Sequence, residues 1–467
     1  MATGRVAVVG AGLAGLAAGI ELKDAGYEVE LFERSRLLGG RATSFTVGGH
    51  EVDNGQHVFL GCCGEFMGFA RRLGMAPHLH MQERFDALII SRDGAVSRLR
   101  AAPLPAPWHL MAAFAGYGHL SAISKWRVAR ALARARSARD GDGSFGDWLA
   151  RNGQREDELR AFWRLFLVPA LNAPLDRMSA HDAGNVMMTA FLSDAGAARF
   201  GYSTVPLVHF ARAAAERLDA INLETPVSGV DVVARSWSAP AHAAQQSDRV
   251  RGIVLENGDV REFDGVVLAL APPQLNNLLG EPERFGLPEL EGYESFPIVD
   301  VHLWHDRGAL GFDFTALLDS PLQWIFEKAP GYLCCSISAA GEYVRRPSEE
   351  LAELCWREVK QAVPGLQNAR LVQGAATRTP QATFMARPGV ARPSSRTTFP
   401  NLAIAGSWTD TGWPDTMESA VISGKAAARL LDKNLCSGRI YSTGNHVADG
   451  RVDSTATSKV PEGQGVV

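Results

Sequence analysis

Cysteine is scarce in this chain of 467 residues: there are six, standing as Cys62-Cys63, Cys334-Cys335, Cys355 and Cys436. Adjacent pairs give neither a metal-ligand spacing nor a secreted disulfide framework, so the sequence predicts reduced thiols and no metal site. Long uncharged apolar runs are missing too. None approaches the ~20 residues needed to span a bilayer, and strand-like sequence begins at Arg5, leaving no room for a signal segment before it. The expected location is cytoplasmic, at most peripheral on the inner face of the cell membrane. An excess of one charge is also absent. With 47 Lys+Arg against 51 Asp+Glu the net charge is −4, which offers no general attraction to nucleic acid. What remains is an ordinary globular composition, 46% apolar and 21% charged, with length for two or three domains.

The stretch that organises the chain is its opening, RVAVVGAGLAGLAAGIELKDAGYEVELFERSRLLGGR. Arg5 to Val9 reads as a buried strand, and Gly10, Gly12 and Gly15 set a G-x-G-x-x-G turn into a helix running to about Ala25. A second apolar run, Glu28 to Phe32, ends at Glu33. Strand, glycine turn, helix, second strand and acidic cap together form a dinucleotide-binding fingerprint. Gly10 permits the tight turn, Gly12 lets a pyrophosphate approach the backbone and Gly15 lets the helix pack on the strand. The helix N-terminus, at Ala11, Leu13 and Ala14, offers unpaired N–H groups and a positive dipole end to phosphates. Glu33 stands where a carboxylate bonds ribose hydroxyls, with Arg34 beside it. The pair Gly39-Gly40 then brings backbone close to a ligand, and Arg41 adds fixed positive charge. A plain NAD domain has no need of this second loop. The E-x5-G-G-R pattern resembles the FAD-binding segment of the flavin amine oxidase superfamily, which includes phytoene desaturases and monoamine oxidases, and the cofactor this resemblance implies is FAD.

After a hairpin predicted at Gly48-Gly49 comes Asp53-Asn54-Gly55-Gln56-His57, a polar cluster that reads either as a simple turn or as a loop under a ligand. In the superfamily this position passes near the isoalloxazine ring, which marks Gly55, Gln56 and His57 as cofactor contacts and Asp53 and His57 as candidate acids. A second hairpin is predicted at Asp93-Gly94. From Pro103 to about Ala198 the chain reads as helical. Trp108 to Leu120 is strongly apolar, and the next helix carries Lys125, Arg127, Arg130, Arg134 and Arg136. A basic amphipathic helix beside an apolar one fits a peripheral membrane contact through residues 108–136; it equally fits a solvated face packed on a core. Ile221 to Val227 reads as one strand returning to the nucleotide domain, with Val227 expected to line adenine. Asn257-Gly258 signals a type I′ hairpin, and 235–246 an exposed hairpin tip. Strands over Val299–Trp304, Gln323–Phe326 and Tyr332–Ile337, with a helix over Glu349–Val363, suggest an antiparallel substrate sheet.

Near the C-terminus stands NLAIAGSWTDTGWPDTMESAVISGKAAARLL. Leu402 to Ala405 reads as a last parallel strand, Gly406 as a close-approach glycine and Pro414 to Leu431 as a helix whose N-terminus faces the first unit. Such an N-terminus stabilises negative charge on a reduced flavin. Ser407, Trp413, Thr416, Met417 and Glu418 are therefore expected at the cofactor, and Asp410 and Asp415 are further candidate acids. With DNGQHVFLG near the start, this segment resembles the hydroxysqualene dehydroxylases, squalene-associated FAD proteins of bacterial hopanoid pathways related to the carotenoid desaturases. The similarity runs over about residues 4 to 433, with one departure: relatives show Gly-Asp where this chain has Gly406-Ser407.

The resemblance implies an α/β fold, α+β in the substrate part: a Rossmann-like FAD-binding domain of the amine oxidase type (residues 1–85, 206–280 and 396–433), a mixed-sheet substrate domain (281–395) and a mainly helical, substrate- or membrane-facing part (86–205). Residues 434–467 are expected to form a disordered tail. It also implies a long apolar isoprenoid substrate, an electron partner that the sequence does not name, and removal of an allylic hydroxyl from hydroxysqualene at the expense of reduced flavin. Within the same fold the alternatives are a phytoene-type desaturase or a flavin-free prenyl-lipid carrier of the Rab escort type. An amine oxidase is disfavoured, since the C-terminal motif lacks a cysteine for covalent flavin.

Overall fold

The computed structural model describes residues 3–233, 248–387 and 390–443. The hairpin tip expected over 235–246 and the part of the expected 434–467 tail beyond Thr443 lie outside the described residues, whereas 434–443 continues the last helix instead of being disordered. Five parallel strands form the nucleotide-type sheet, in the order Ala220–Asn222, Glu28–Phe32, Arg5–Val9, Gly265–Leu268, Leu402–Ile404. Val6 to Val9 and Val266 to Leu268 are buried at every position, the mark of a parallel sheet covered on both faces. One face carries the opening helix, Leu13–Asp24, and beyond it the last helix, Met417–Thr443. The other face carries a three-stranded sheet, Val227–Val233, Arg249–Leu255 and Val260–Glu262.

A second sheet of seven strands runs in the order Leu371–Ala386, Tyr293–His305, Tyr332–Ile337, Trp324–Ala329, Phe314–Leu318, Asp86–Ser91, Val96–Arg100. It is mixed rather than antiparallel throughout, because Phe314–Leu318 pairs in parallel with Asp86–Ser91. The Asp93-Gly94 hairpin, grouped by sequence with the helical part, forms this sheet's edge. Helices between Trp108 and Leu192 pack on the sheet through Phe314, Trp324 and Phe326. Two stretches, Leu159–Trp163 and Met187–Leu192, are π-helical, a widened turn that recurs at functional sites.

Three local expectations change. Ile221 to Val227 is not one strand: the chain crosses Glu33 and Ser35 through Thr225 N–H to Glu33 O (2.9 Å) and Glu224 N–H to Ser35 O (3.2 Å). It turns at Glu224 (φ 50°), and Val227 opens the outer sheet. The Asn257-Gly258 turn is not type I′, since positive φ falls on Gly258 (88°) and not on Asn257; a type I turn closed by a glycine bulge fits. The last helix starts at Met417 because Asp415 is held by Arg41 and the Phe384 N–H. It passes Leu431 because Leu435 is buried and Asn434 bonds the Pro400 carbonyl.

Candidate cofactor and active site

Loops leaving the C-terminal ends of four parallel strands converge on one cavity of about 490 Å³: Gly10–Ala14, Glu33–Ala42, Ala269–Ala271 and the segment from Gly406 to Met417. Ligands of open α/β sheets bind in such a crevice. Gly10 takes φ 104°, and a Cβ there would stand 2.4 Å from the Ala269 carbonyl oxygen. Gly12 faces open space, with nothing within 4 Å of its would-be Cβ. The Gly39 N–H donates to Ala11 O (2.8 Å), so the two glycine loops are joined. Both Glu33 oxygens accept backbone N–H groups at 2.9 Å, from Ala11 and from Ser35. The carboxylate is thereby fixed with lone pairs still free for a diol.

The facing wall comes from the seven-stranded sheet. Phe296 pairs with Thr383 but Ile298 with Thr379, so the residues around Pro380 bulge out opposite Pro297. A bulge re-aims side chains at its position, and here Gln381, Ala382 and Phe384 line the cavity. Arg41 bridges the two walls. Its guanidinium donates to Asp415 (2.7 and 2.9 Å), to Ser407 Oγ (2.7 Å) and to Ala382 O (2.7 Å). Burial pushes the Asp415 carboxyl up, but the Arg41 charge and hydrogen bonds outweigh it and hold it below the usual carboxylate range.

At the inner end stand His57 and Asp300. The His57 Nδ1–H donates to Gly55 O (2.8 Å), and burial holds this imidazole below its ordinary pKa, hence neutral. Asp300, on the strand Tyr293–His305, is 1% exposed and borders the cavity. One carboxyl oxygen accepts from Ser336 Oγ and the Gln56 N–H. The other, Oδ2, has no partner and lies 2.7 Å from where a Cβ on Gly55 would stand. Burial pushes Asp300 up to about 6.

A family model described as flavin containing amine oxidoreductase matches residues 13–432. The chain belongs to this family. It is 31% identical to hydroxysqualene dehydroxylase of Rhodopseudomonas palustris over 91% of this chain and 98% of that protein. It is 26% identical to zeta-carotene desaturase of Synechocystis over 92% and 97%. Among solved structures, cyclohexylamine oxidase of Brevibacterium oxydans superposes with a TM-score of 0.68 at 16% identity, over 92% of this chain and 99% of that one. The protein is accordingly a flavin-dependent oxidoreductase.

Of the expected flavin contacts, Gly10, Gly12, Leu13, Ala14, Glu33, Arg34, Gly39, Gly40, Arg41, Gly55, Gln56, His57, Gly406, Ser407, Thr416 and Met417 share this cavity. Several expectations are corrected. Glu418 does not border it: its carboxylate caps the helix Gly64–Arg72 through the N–H groups of Glu65 (2.9 Å) and Phe66 (2.7 Å). Val227 and Trp413 also lie outside the lining. Ala11 and Gly15 sit beneath the floor, Gly15 with its would-be Cβ 2.0 Å from Gly10 O. Among the candidate acids, Asp53 lies outside the lining: its Oδ1 accepts from Ser44 Oγ (2.6 Å) and the Leu207 N–H (2.8 Å), and its Oδ2 faces Lys328 Nζ (3.9 Å). Asp410 is exposed, and Asp415 is locked as an anion. Sequence reading missed Asp300, Trp408 and Arg392. The Arg392 guanidinium donates to the carbonyls of Ser407 (2.8 Å), Trp408 (3.0 Å) and Trp413 (2.6 Å), fixing the last flavin loop. A charged residue inside the apolar alternation PIVDVHLWH was the available signal for Asp300.

Removing the guanidinium by Arg41→Ala leaves Asp415 buried without its cation. The expected loss is about 3 kcal/mol in denaturant unfolding. It shrinks at low pH, where protonating Asp415 relieves the penalty, and Arg41→Lys recovers only part because it lacks the fork. An unchanged midpoint in Arg41→Ala would refute the pairing.

Proposed function

We propose that the flavin is FAD and that the reaction is reductive removal of an allylic hydroxyl from a long isoprenoid, hydroxysqualene giving squalene. The residues present fit FAD: Glu33 for the ribose, the Leu13 helix N-terminus for the pyrophosphate, and the Met417 helix N-terminus on the flavin side. When bound and reduced, this cofactor supplies a hydride. The chain's own part is to hold the carbinol in a dry site and to deliver a proton, so that the hydroxyl departs as water and leaves an allylic cation. Asp300 is the proton donor in this reading. It favours dehydroxylation over desaturation, because a buried carboxyl with an unpartnered oxygen at the cavity wall is suited to giving up a proton to a leaving hydroxyl. Similarity to the R. palustris dehydroxylase over nearly its whole length supports the same choice.

The second reading, a polyene desaturase, is favoured by the comparable span of the zeta-carotene desaturases. An anaerobic experiment separates them. With the flavin reduced, hydroxysqualene is expected to reoxidise it and yield squalene; with the flavin oxidised, a carotenoid precursor is expected to leave it oxidised, and anaerobic reduction of the flavin by that precursor with no reaction of hydroxysqualene would establish the desaturase. A flavin-free lipid carrier has no support from a cradle that keeps Gly10, Gly12, Glu33, Gly39, Gly40 and Arg41.

The ribose role gives a second measurement. Glu33→Ala is expected to weaken FAD about tenfold to a hundredfold, the worth of charge-assisted hydrogen bonds to a diol, while leaving FMN affinity unchanged. Equal retention of FAD by variant and wild type would exclude the role.

A further inference from the structure

Ten large apolar side chains stand exposed among the described residues, and five of them fall between Leu104 and Trp126. Trp108 (59% exposed) and Met111 share one face of the helix Trp108–Ala115; Ile123 and Trp126 (61%) share one face of Ala122–Leu132. Scattered single exposed apolar residues are normal on any surface, whereas a cluster marks an interaction site. The same segment holds Lys125, Arg127, Arg130, Arg134, Arg136 and Arg139, with no Asp or Glu from 101 to 139. Arg127 is matched by Glu158, and Arg136 and Arg139 by Asp140. The contacts of the other three are uncharged: Lys125 with Ala115 O, Arg130 with Asn152 O and the Trp126 ring, Arg134 with Asn152 Oδ1. The face therefore pairs projecting indoles with uncompensated cations.

Behind it lies a second cavity of about 460 Å³, separate from the flavin cleft and walled almost wholly by apolar groups. Its volume is in the roughly 300–1,000 Å³ range of small-molecule pockets. Both π-helical stretches line it, through Phe162, Met187 and Phe191. Met111 and Arg136 belong at once to its wall and to the exposed surface, which puts its mouth between them. Ala129 and Ala133, three and seven residues beyond Trp126 on the same helix face, also line it. Apolar surface is thus continuous from the exposed indoles into the interior.

We propose that the helices Trp108–Ala115 and Ala122–Leu132 dock on an anionic lipid bilayer, with Trp108, Met111, Ile123 and Trp126 in the acyl boundary, Lys125, Arg130 and Arg134 at the headgroups, and the second cavity opening into the membrane to admit a long apolar molecule. A bilayer fits better than a second protein surface because exposed indoles and cations without an acidic partner share two consecutive helices beside an apolar cavity, the arrangement of an interfacial helix. No described helix is long and apolar enough to cross a membrane, so the contact is in-plane. Admission of substrate rests on the isoprenoid reading above; docking does not.

The test is co-sedimentation of the full-length flavoprotein with vesicles of phosphatidylcholine alone or mixed with phosphatidylglycerol. Binding is expected only to the mixed vesicles and to weaken as salt rises. Trp108→Ala/Trp126→Ala and, separately, Lys125→Glu/Arg134→Glu are expected to lose about tenfold or more in vesicle affinity with flavin absorbance unchanged. All four residues lie at the surface and outside the flavin cavity. Quenching of tryptophan fluorescence by chain-brominated lipid gives a reading on the unmodified protein, expected for the mixed vesicles. Equal binding to both vesicle types, no binding to either, wild-type affinity in both variants, or a dimer in light scattering that the tryptophan variant abolishes would each overturn the proposal. Vesicle binding that holds while hydroxysqualene leaves the flavin reduced would sink the dehydroxylation reading and spare the docking.

Discussion

Replacing Asp300 by asparagine is expected to slow hydroxysqualene-driven flavin reoxidation by about 10²–10⁴-fold, the usual worth of a positioned general acid. The pH dependence identifies the cause. Asp300 titrates at about 6, so the wild-type rate should fall as pH rises through that value, and the Asp300→Asn rate should not. Groups facing Asp300 are Ser336 and Cys334 on the neighbouring strand and Gln56 in the loop; Asp53 and Lys328 act on it at longer range. Burial of His302, two residues along the strand, lowers it to about 4, so it stays neutral over the window in question. Stability supplies an independent reading with a definite sign. The Asp300 pKa is raised in the folded state, so its contribution is fully present below the unfolded value of 3.8 and is lost as pH rises through about 6. Asp300→Asn should therefore be more stable than wild type above pH 6, by about 2–3 kcal/mol at most, with the difference vanishing in acid. A variant that is slow but no more stable at alkaline pH would mean a structural defect; one with the wild-type rate would remove Asp300 from the chemistry.

The second large effect lies where the two ends of the chain meet. A Cβ on Gly424 would stand 2.1 Å from the Ala14 carbonyl oxygen and 2.9 Å from the Ala18 nitrogen, so the last helix touches the first along bare backbone. Gly424→Leu cannot be absorbed by a side-chain shift, because the neighbours are main chain. Overpacking of this kind costs about 1–3 kcal/mol or more, and here it forces the Met417 helix off the Leu13 helix. The purified variant is expected to be flavin-free, and Gly15→Ala should behave alike, its Cβ meeting Gly10 O at 2.0 Å. Exposed Gly94, with nothing within 4 Å of its would-be Cβ, is the control: Gly94→Asn should keep its flavin. Full flavin content in Gly424→Leu would show that the two helices need not touch.

Much of the cofactor half was legible because its determinants are local. The strands Arg5–Val9 and Glu28–Phe32 appear where the apolar runs place them, and Gly10, Gly15 and Gly39 stand where a turn or close approach excludes a Cβ. The catalytic half was less so. Phe314–Leu318 is buried at every position, so it lacks the alternation that reveals a strand, and Leu371–Ala386 is masked by Pro380 at its bulge. The single strand expected over Ile221–Val227 and the Glu418 expectation failed for a different reason. Backbone hydrogen bonds made by Glu33 and Ser35 redirect the chain before Val227, and Glu418 is drawn to the free N–H groups of a helix more than three hundred residues earlier in the chain.

By itself the sequence determined the family, the nucleotide cradle and its acidic cap, because a turn that must approach a phosphate tolerates only certain residues at fixed spacing. Only the tertiary structure sets the candidate carboxyls apart. Asp53, Asp410, Asp415 and Asp300 are the same side chain in sequence; a backbone amide, bulk water, a guanidinium and a low-dielectric wall with one unpartnered oxygen set them apart. Those surroundings arrive from strands and loops remote in the chain, and no local pattern records them.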